Sequence, residues 1–221
     1  MSDGFAEMIP RAIGFFERLK ADNTKEFYEA HKDFYRDEIR KPAELLADLF
    51  AEDLAKATGK PHGPKVFRLH RDVRFSKDKT PYNAHLHMLW SRPGGGVSPA
   101  WFFGAAPAYL TFGMGVMGLE KESLVRFRRM IDAQGDDLTH AMAEARAANV
   151  TLSDWGPEPL KRVPKPYEAD HPHGVLLKRK AFVVQAPLAE GWQTAGLLPS
   201  LGALIPPMMP IWRILDRSFP A

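Results

Sequence analysis

KVFRLHRDVRFSKDKTPYNAH, residues 65–85, is the densest run of chemically capable side chains in a chain of 221 residues. From Val66 to Ser76, the apolar Phe67, Leu69, Val73 and Phe75 alternate with Arg68, His70, Asp72 and Arg74. A period of two sends the two sets to opposite faces of a sheet, so the spacing predicts a strand over 66–76 with its apolar set on a core. The polar set then forms a row of two guanidiniums, an imidazole and a carboxylate, with same-face neighbours roughly 7 Å apart. Arg71 falls on the apolar side. It needs a partner there, Asp72 or a carboxylate from the first helices, because an unpaired buried charge costs several kcal/mol. The turn residues Ser76, Asp78, Thr80, Pro81 and Asn83 follow, with Lys77 and Lys79 among them. Between Lys65 and Lys79 six Lys or Arg stand against two Asp, a local charge of +4.

That pattern points to an anion. Arginine forks match phosphate or carboxylate and lysine adds point charge, so Arg68, Arg71, Arg74, Lys77 and Lys79 are candidate ligand-binding residues. Tyr82 is a candidate to stack or donate a hydrogen bond. His70 and Asp72, two apart on one strand face, are the candidate general base and its orienter. The competing reading is a solvated strand face braced by Arg–Asp pairs.

The run VFRLHRDVRFSKDKTPYNAH also resembles the signature block of the family known as domain of unknown function 2461. FFERLKADNTKEFYEAHKDFY, from Phe15, and LKRVPKPYEADHPHGVLLKRKAFVV, from Leu160, fit the same family, so the resemblance spans nearly the whole chain in order. It implies a soluble α+β domain. It carries over no activity, substrate or catalytic set.

Charge is mild overall, +3, but unevenly placed. Residues 1–60 hold ten Lys or Arg and thirteen Asp or Glu, a balance of −3. The positive charge gathers in the central block and again over 160–184, where six basic residues face two acidic ones. Pro164, Pro166 and Pro172 make the start of this second block an irregular loop that carries Lys161, Arg162, Lys165 and Tyr167, with a short helix and a strand over 181–185 to follow. The expectation is that this loop folds over the polar row of the central strand, so that Lys161, Arg162 and Lys165 close on a shared anion. Sequence-independent DNA binding needs a broader basic footprint, so nucleic acid is not the favoured partner.

Elsewhere the signals are structural. Pro10 suits a first helical turn, followed by Ile13, Phe16 and Leu19 at helical spacing. Asn23 with Glu26 reads as a capping box for a helix through Arg40, and Pro42 begins a third helix to Lys56, ended by Gly59. His85 to Trp90, 101–103 and 109–112 read as strands, 91–99 as a glycine-rich loop, and 119–131 and 136–148 as two helices. Gly113-Met114-Gly115-Val116-Met117-Gly118 spells a dinucleotide fingerprint. The acidic second strand is missing, however, and Glu120 and Glu122 would repel a pyrophosphate. The glycines are therefore expected to serve turning and close packing. His85-x-His87 and His171-x-His173 lack a third ligand, so no metal and no cofactor is expected. The chain has no cysteine, the N-terminal segment has no secretory pattern, and prolines interrupt the uncharged stretch 194–212, so neither disulfides nor membrane insertion is expected and the location is read as cytoplasmic. Oligomeric state leaves no mark in the sequence.

The reading is a single α+β domain over 1–221, a mainly antiparallel sheet packed with N-terminal, middle and C-terminal helices. Its first function is binding a small anionic ligand in a basic pocket. The alternatives are a phosphoester or nucleotide hydrolase using His70 and Asp72, and a protein-interaction domain with a structural Arg–Asp network.

Overall fold

The structure, a computed structural model, describes residues 4–219. Its strands are β1 (Gly63–Val66), β2 (Leu86–Ser91), β3 (Ala100–Ala106), β4 (Tyr109–Val116), β5 (Thr151–Leu152) and β6 (Phe182–Pro187). They form one six-stranded antiparallel sheet in the order β1-β2-β3-β4-β6-β5, and with the helices around it the fold is α+β. By contacts the chain divides into two compact units. One takes the chain up to Trp90 with Phe102–Phe112 and Pro187–Ala203; the other takes Ser91–Trp101, Gly113–Ala186 and the chain from Leu204.

In the first unit α1 (Phe5–Ala21) buries Met8, Ile9, Ala12, Phe15, Phe16 and Leu19. These recur at three- and four-residue spacing and form one apolar stripe. The helix starts earlier than expected, so Pro10 lies inside it rather than in its first turn. The cap of α2 (Lys25–Phe34) is Thr24, whose hydroxyl accepts from Phe27 N–H at 3.2 Å. Asn23, the expected cap, instead donates to Tyr82 O at 3.0 Å and accepts from Tyr82 N–H at 3.1 Å, acting as a one-residue strand partner. From α2 the chain runs through a π-helical turn, Tyr35–Arg40, into α3 (Lys41–Thr58) with helical dihedrals at both joins. Pro42 explains the wide turn. It has no N–H for the carbonyl four residues back and its ring crowds that carbonyl, and Lys41 N–H reaches Arg36 O, five residues back. On β2, Leu86, Met88 and Trp90 alternate inward as expected, and Trp90 Nε1 donates to Ala47 O at 2.7 Å.

The predicted strand over 66–76 does not form. β1 stops at Val66, and beyond it only a single bridge, His70 with Tyr82, is sheet-like. Arg71 N–H donates to Pro81 O and Asn83 N–H to Leu69 O, both at 2.8 Å, so the block folds back on itself as a closed loop. The reason is local. Asp72 accepts from Arg74 N–H and Asp78 from Thr80 N–H, turn bonds that compete with a ladder. Of the alternating apolar set only Leu69 is buried, while Phe75 is 96% exposed. A period of two needs a partner along its length to become a sheet, and among the described residues 81–83 pair with only 69–71.

In the second unit α4 (Lys121–Ala145) breaks helical geometry at Gln134, where two helices were expected to part. The fingerprint glycines Gly113 and Gly115 lie inside β4, not in a strand-to-helix turn. A methyl group on either would run into the β6 main chain at Val184 O or Phe182 O. They permit close strand approach and form no phosphate loop. The C-terminal helix, α5 (Ile205–Ser218), packs on α4 and carries Asp216, which pairs with Arg92 at 3.0 Å. The two side chains are only 10% and 6% exposed. Arg92 also donates to Phe219 O. Among the described residues no helix is long and apolar enough to cross a membrane.

Removing one partner of a buried pair strands the other charge. Asp216→Ala should therefore destabilise the protein by about 3–5 kcal/mol in urea unfolding. A loss below about 1 kcal/mol would mean that Arg92 finds water in the native state.

Candidate functional site

The central block belongs to the first unit and the second basic block to the second, and each has a local geometry of its own. In the central block the guanidiniums are largely taken. Arg71 pairs with Asp78 at 2.6 Å and donates to the Thr80 carbonyl and hydroxyl, so its partner is neither Asp72 nor a helix carboxylate. Thr80 N–H and Arg71 together hold the Asp78 carboxyl down to about 2. Arg74 pairs with Asp72 at 2.7 Å through both carboxylate oxygens, and its hydrogen bonds lower the Asp72 carboxyl. Lys79 Nζ donates to Val73 O at 2.9 Å. Arg68 and Lys77 are exposed with no carboxylate partner among the described residues.

The expected base and its orienter do not meet. Asp72 serves Arg74, and no hydrogen bond joins it to His70 among the described residues. The His70 ring stands edge-on to Tyr28 and Tyr82, with centroids 5.2 and 5.0 Å away. Tyr82 is 5% exposed, 4.8 Å from Tyr28, and burial raises its hydroxyl. It anchors the loop to α2 and offers a ligand almost no surface.

The second block shows the opposite pattern. Lys161, Arg162 and Lys165 line one cleft of about 410 Å³ with Lys178, Tyr167 and Glu168. None of the four cations has a carboxylate partner among the described residues. Lys178, half-buried, was absent from the sequence-derived site. Its only signal was membership of the basic run, and its place follows from the bond of Leu160 N–H to Lys178 O at 2.8 Å, which closes the loop. Its neighbour Arg179 turns away to Ser153 O, Ala181 O and, at 3.8 Å, Asp154.

What holds this loop is the second histidine pair. His171 Nδ1 accepts from His173 N–H at 3.0 Å, so its proton sits on Nε2 and is donated to Asp132 at 3.2 Å. His173 Nε2 lies 3.0 Å from Asp136. Its ring fills the space beside Gly135, where a Cβ would collide with it. Arg128 Nε donates to Leu177 O at 3.2 Å and adds a third tie to α4. These histidines are clamps, and no group of three or more metal-ligating side chains occurs among the described residues.

The other pair, in the first unit, is a stack. The rings of His85 and His87 lie 3.7 Å apart, and His87 Nε2 is 2.6 Å from the Tyr109 hydroxyl. Burial, and then the His85 charge, push His87 down to about 3; burial also lowers His85.

The molecule is thus an α+β protein with a cation-lined cleft in its second unit. The chain belongs to the family of conserved hypothetical proteins called domain of unknown function 2461 (DUF2461), whose model matches residues 11–210 and so spans both basic blocks. No curated protein matches the chain.

His87 yields a pH prediction. In the unfolded chain it protonates near pH 6.5 and in the folded one only near 3, so between these values the unfolded state holds the extra proton. Stability should fall as pH drops from about 6.5 towards 3, by at most about 1.4 kcal/mol per pH unit. His87→Gln should flatten that slope in urea unfolding at pH 4–6.5. An unchanged slope would acquit His87.

Proposed function

We propose that the protein is a cytoplasmic binding protein for a small anionic ligand, bearing phosphate or carboxylate, held in the cleft of the basic loop. One observation supports this above the rest: Lys161, Arg162, Lys165 and Lys178 share a cleft of about 410 Å³ without a carboxylate partner among the described residues. Four cations against one carboxylate, Glu168, leave the cleft with a positive excess that an anion would neutralise, and a guanidinium with three ammonium groups suits phosphate. Tyr167, at the cleft, takes the stacking or donor role first assigned to Tyr82. The hydrolase reading loses its orienter, since Asp72 is bound to Arg74.

A second reading has one observation in its favour. The Arg71–Asp78 and Arg74–Asp72 pairs brace the central loop and leave Arg68 and Lys77 facing outward, an arrangement that suits an acidic peptide.

Phosphate or pyrophosphate titrated against the protein should raise its Tm. At a hundred-fold excess over Kd the stabilisation is about 2.7 kcal/mol, roughly 5–10 °C for a chain of this size. Joint replacement of Lys161, Arg162 and Lys165 by Ala should abolish the shift, and Arg74→Ala should preserve it. Equal shifts in wild type and the triple variant would remove the cleft from the proposal.

A further inference from the structure

We infer that this cleft is one half of a cationic track for a single nucleic-acid strand, and that one face of α4 supplies the other half. The inference rests on the anion-binding reading above and adds to it a second subsite and a ligand class.

The second subsite is a cleft of about 530 Å³ along the N-terminal half of α4, lined by Lys121, Glu122, Val125, Arg126 and Arg129. Positions 121, 125 and 129, and 122 and 126, are four apart and so share one helix face. At 1.5 Å per residue they extend over about 12 Å. Lys121, Arg126 and Arg129 have no carboxylate partner among the described residues.

Tyr167 links the first cleft to α4: its ring lies 6.0 Å from that of His171, which bonds Asp132, three residues on from Arg129 of the second cleft. Its ring lines the first cleft, and the charges of Arg128 and Arg129 on α4 both act on its hydroxyl. The Arg128–Leu177 and His171–Asp132 bonds pin the basic loop along that same helix. Seven cations therefore line the two clefts, against two carboxylates, Glu168 and Glu122.

A lone phosphate would need only one cleft. A track of this extent neutralises several phosphates, and the half-buried Tyr167 of its first half gives a base a surface to stack on, worth roughly 5- to 150-fold in affinity. An acidic peptide would have no use for that ring. A duplex requires a broader footprint than a chain of net charge +3 presents. A single strand uses both the charge and the ring.

The test is fluorescence anisotropy of labelled oligo(dT) about ten nucleotides long, between about 50 and 200 mM salt. Binding should weaken with salt. Arg126→Gln with Arg129→Gln should reduce the log–log salt slope by about 1.4, while phosphate still raises Tm as in wild type. Tyr167→Leu should weaken oligonucleotide binding about 5- to 150-fold, whereas Tyr167→Phe, which keeps the ring, should bind the oligonucleotide as wild type does. The inference is overturned by absent oligonucleotide binding, by an unchanged slope in the double variant, by base-free polyphosphate competing as well as the oligonucleotide, or by a matched duplex competing better. In each of those cases a surviving phosphate shift keeps the anion cleft, and its loss removes both.

Discussion

The candidate site depends on a missing side chain. Gly135 leaves room beside α4 for the His173 ring, next to Gln134, where the helix interior departs from helical geometry. Around that seat, Asp136 takes His173, Asp132 takes His171, and Arg128 takes the Leu177 carbonyl. A proline-rich loop and the short helix Gly174–Leu177 that follows it are thereby tied to α4 at three points. Loops carry function best when a rigid element sets their position, and here four cations are positioned without a strand beneath any of the three in the loop proper.

Charge partners separate the two basic blocks. Both carry +4 in sequence. In the central block Asp72 and Asp78 lie two and seven residues from the guanidiniums they meet, close enough for turns to form around them. In the second block Glu168 and Asp170 pair with none of the cleft cations among the described residues, Asp132 and Asp136 are spent on histidines, and Asp154 meets only Arg179, at 3.8 Å. Exposed pairs such as Arg74–Asp72 add little to stability, but they remove the guanidinium from the set open to a ligand.

Backbone proximity explains the glycine motif. Gly113 and Gly115 are strand residues pressed against β6. Spacing alone is common to a phosphate-binding turn and to a strand that must approach its neighbour closely, because both ask only for the absence of Cβ.

Much of the fold was legible from local pattern. Apolar residues at helical spacing located α1, α3 and both halves of α4, alternation located β2, and a tyrosine- and phenylalanine-rich run located β4. These signals are local because each records which face of one element meets a core. The strand over 66–76 does not form because its alternation finds a partner for only three residues, 69–71, and partnership is a property of the folded chain. Asn23, placed as a cap, became a bridge to Tyr82, 59 residues away, for the same reason. The sequence by itself determined the class of the fold, the family and the two concentrations of positive charge. Only the tertiary structure decided which of those charges are already neutralised, since ion pairing depends on distances that chain order does not set.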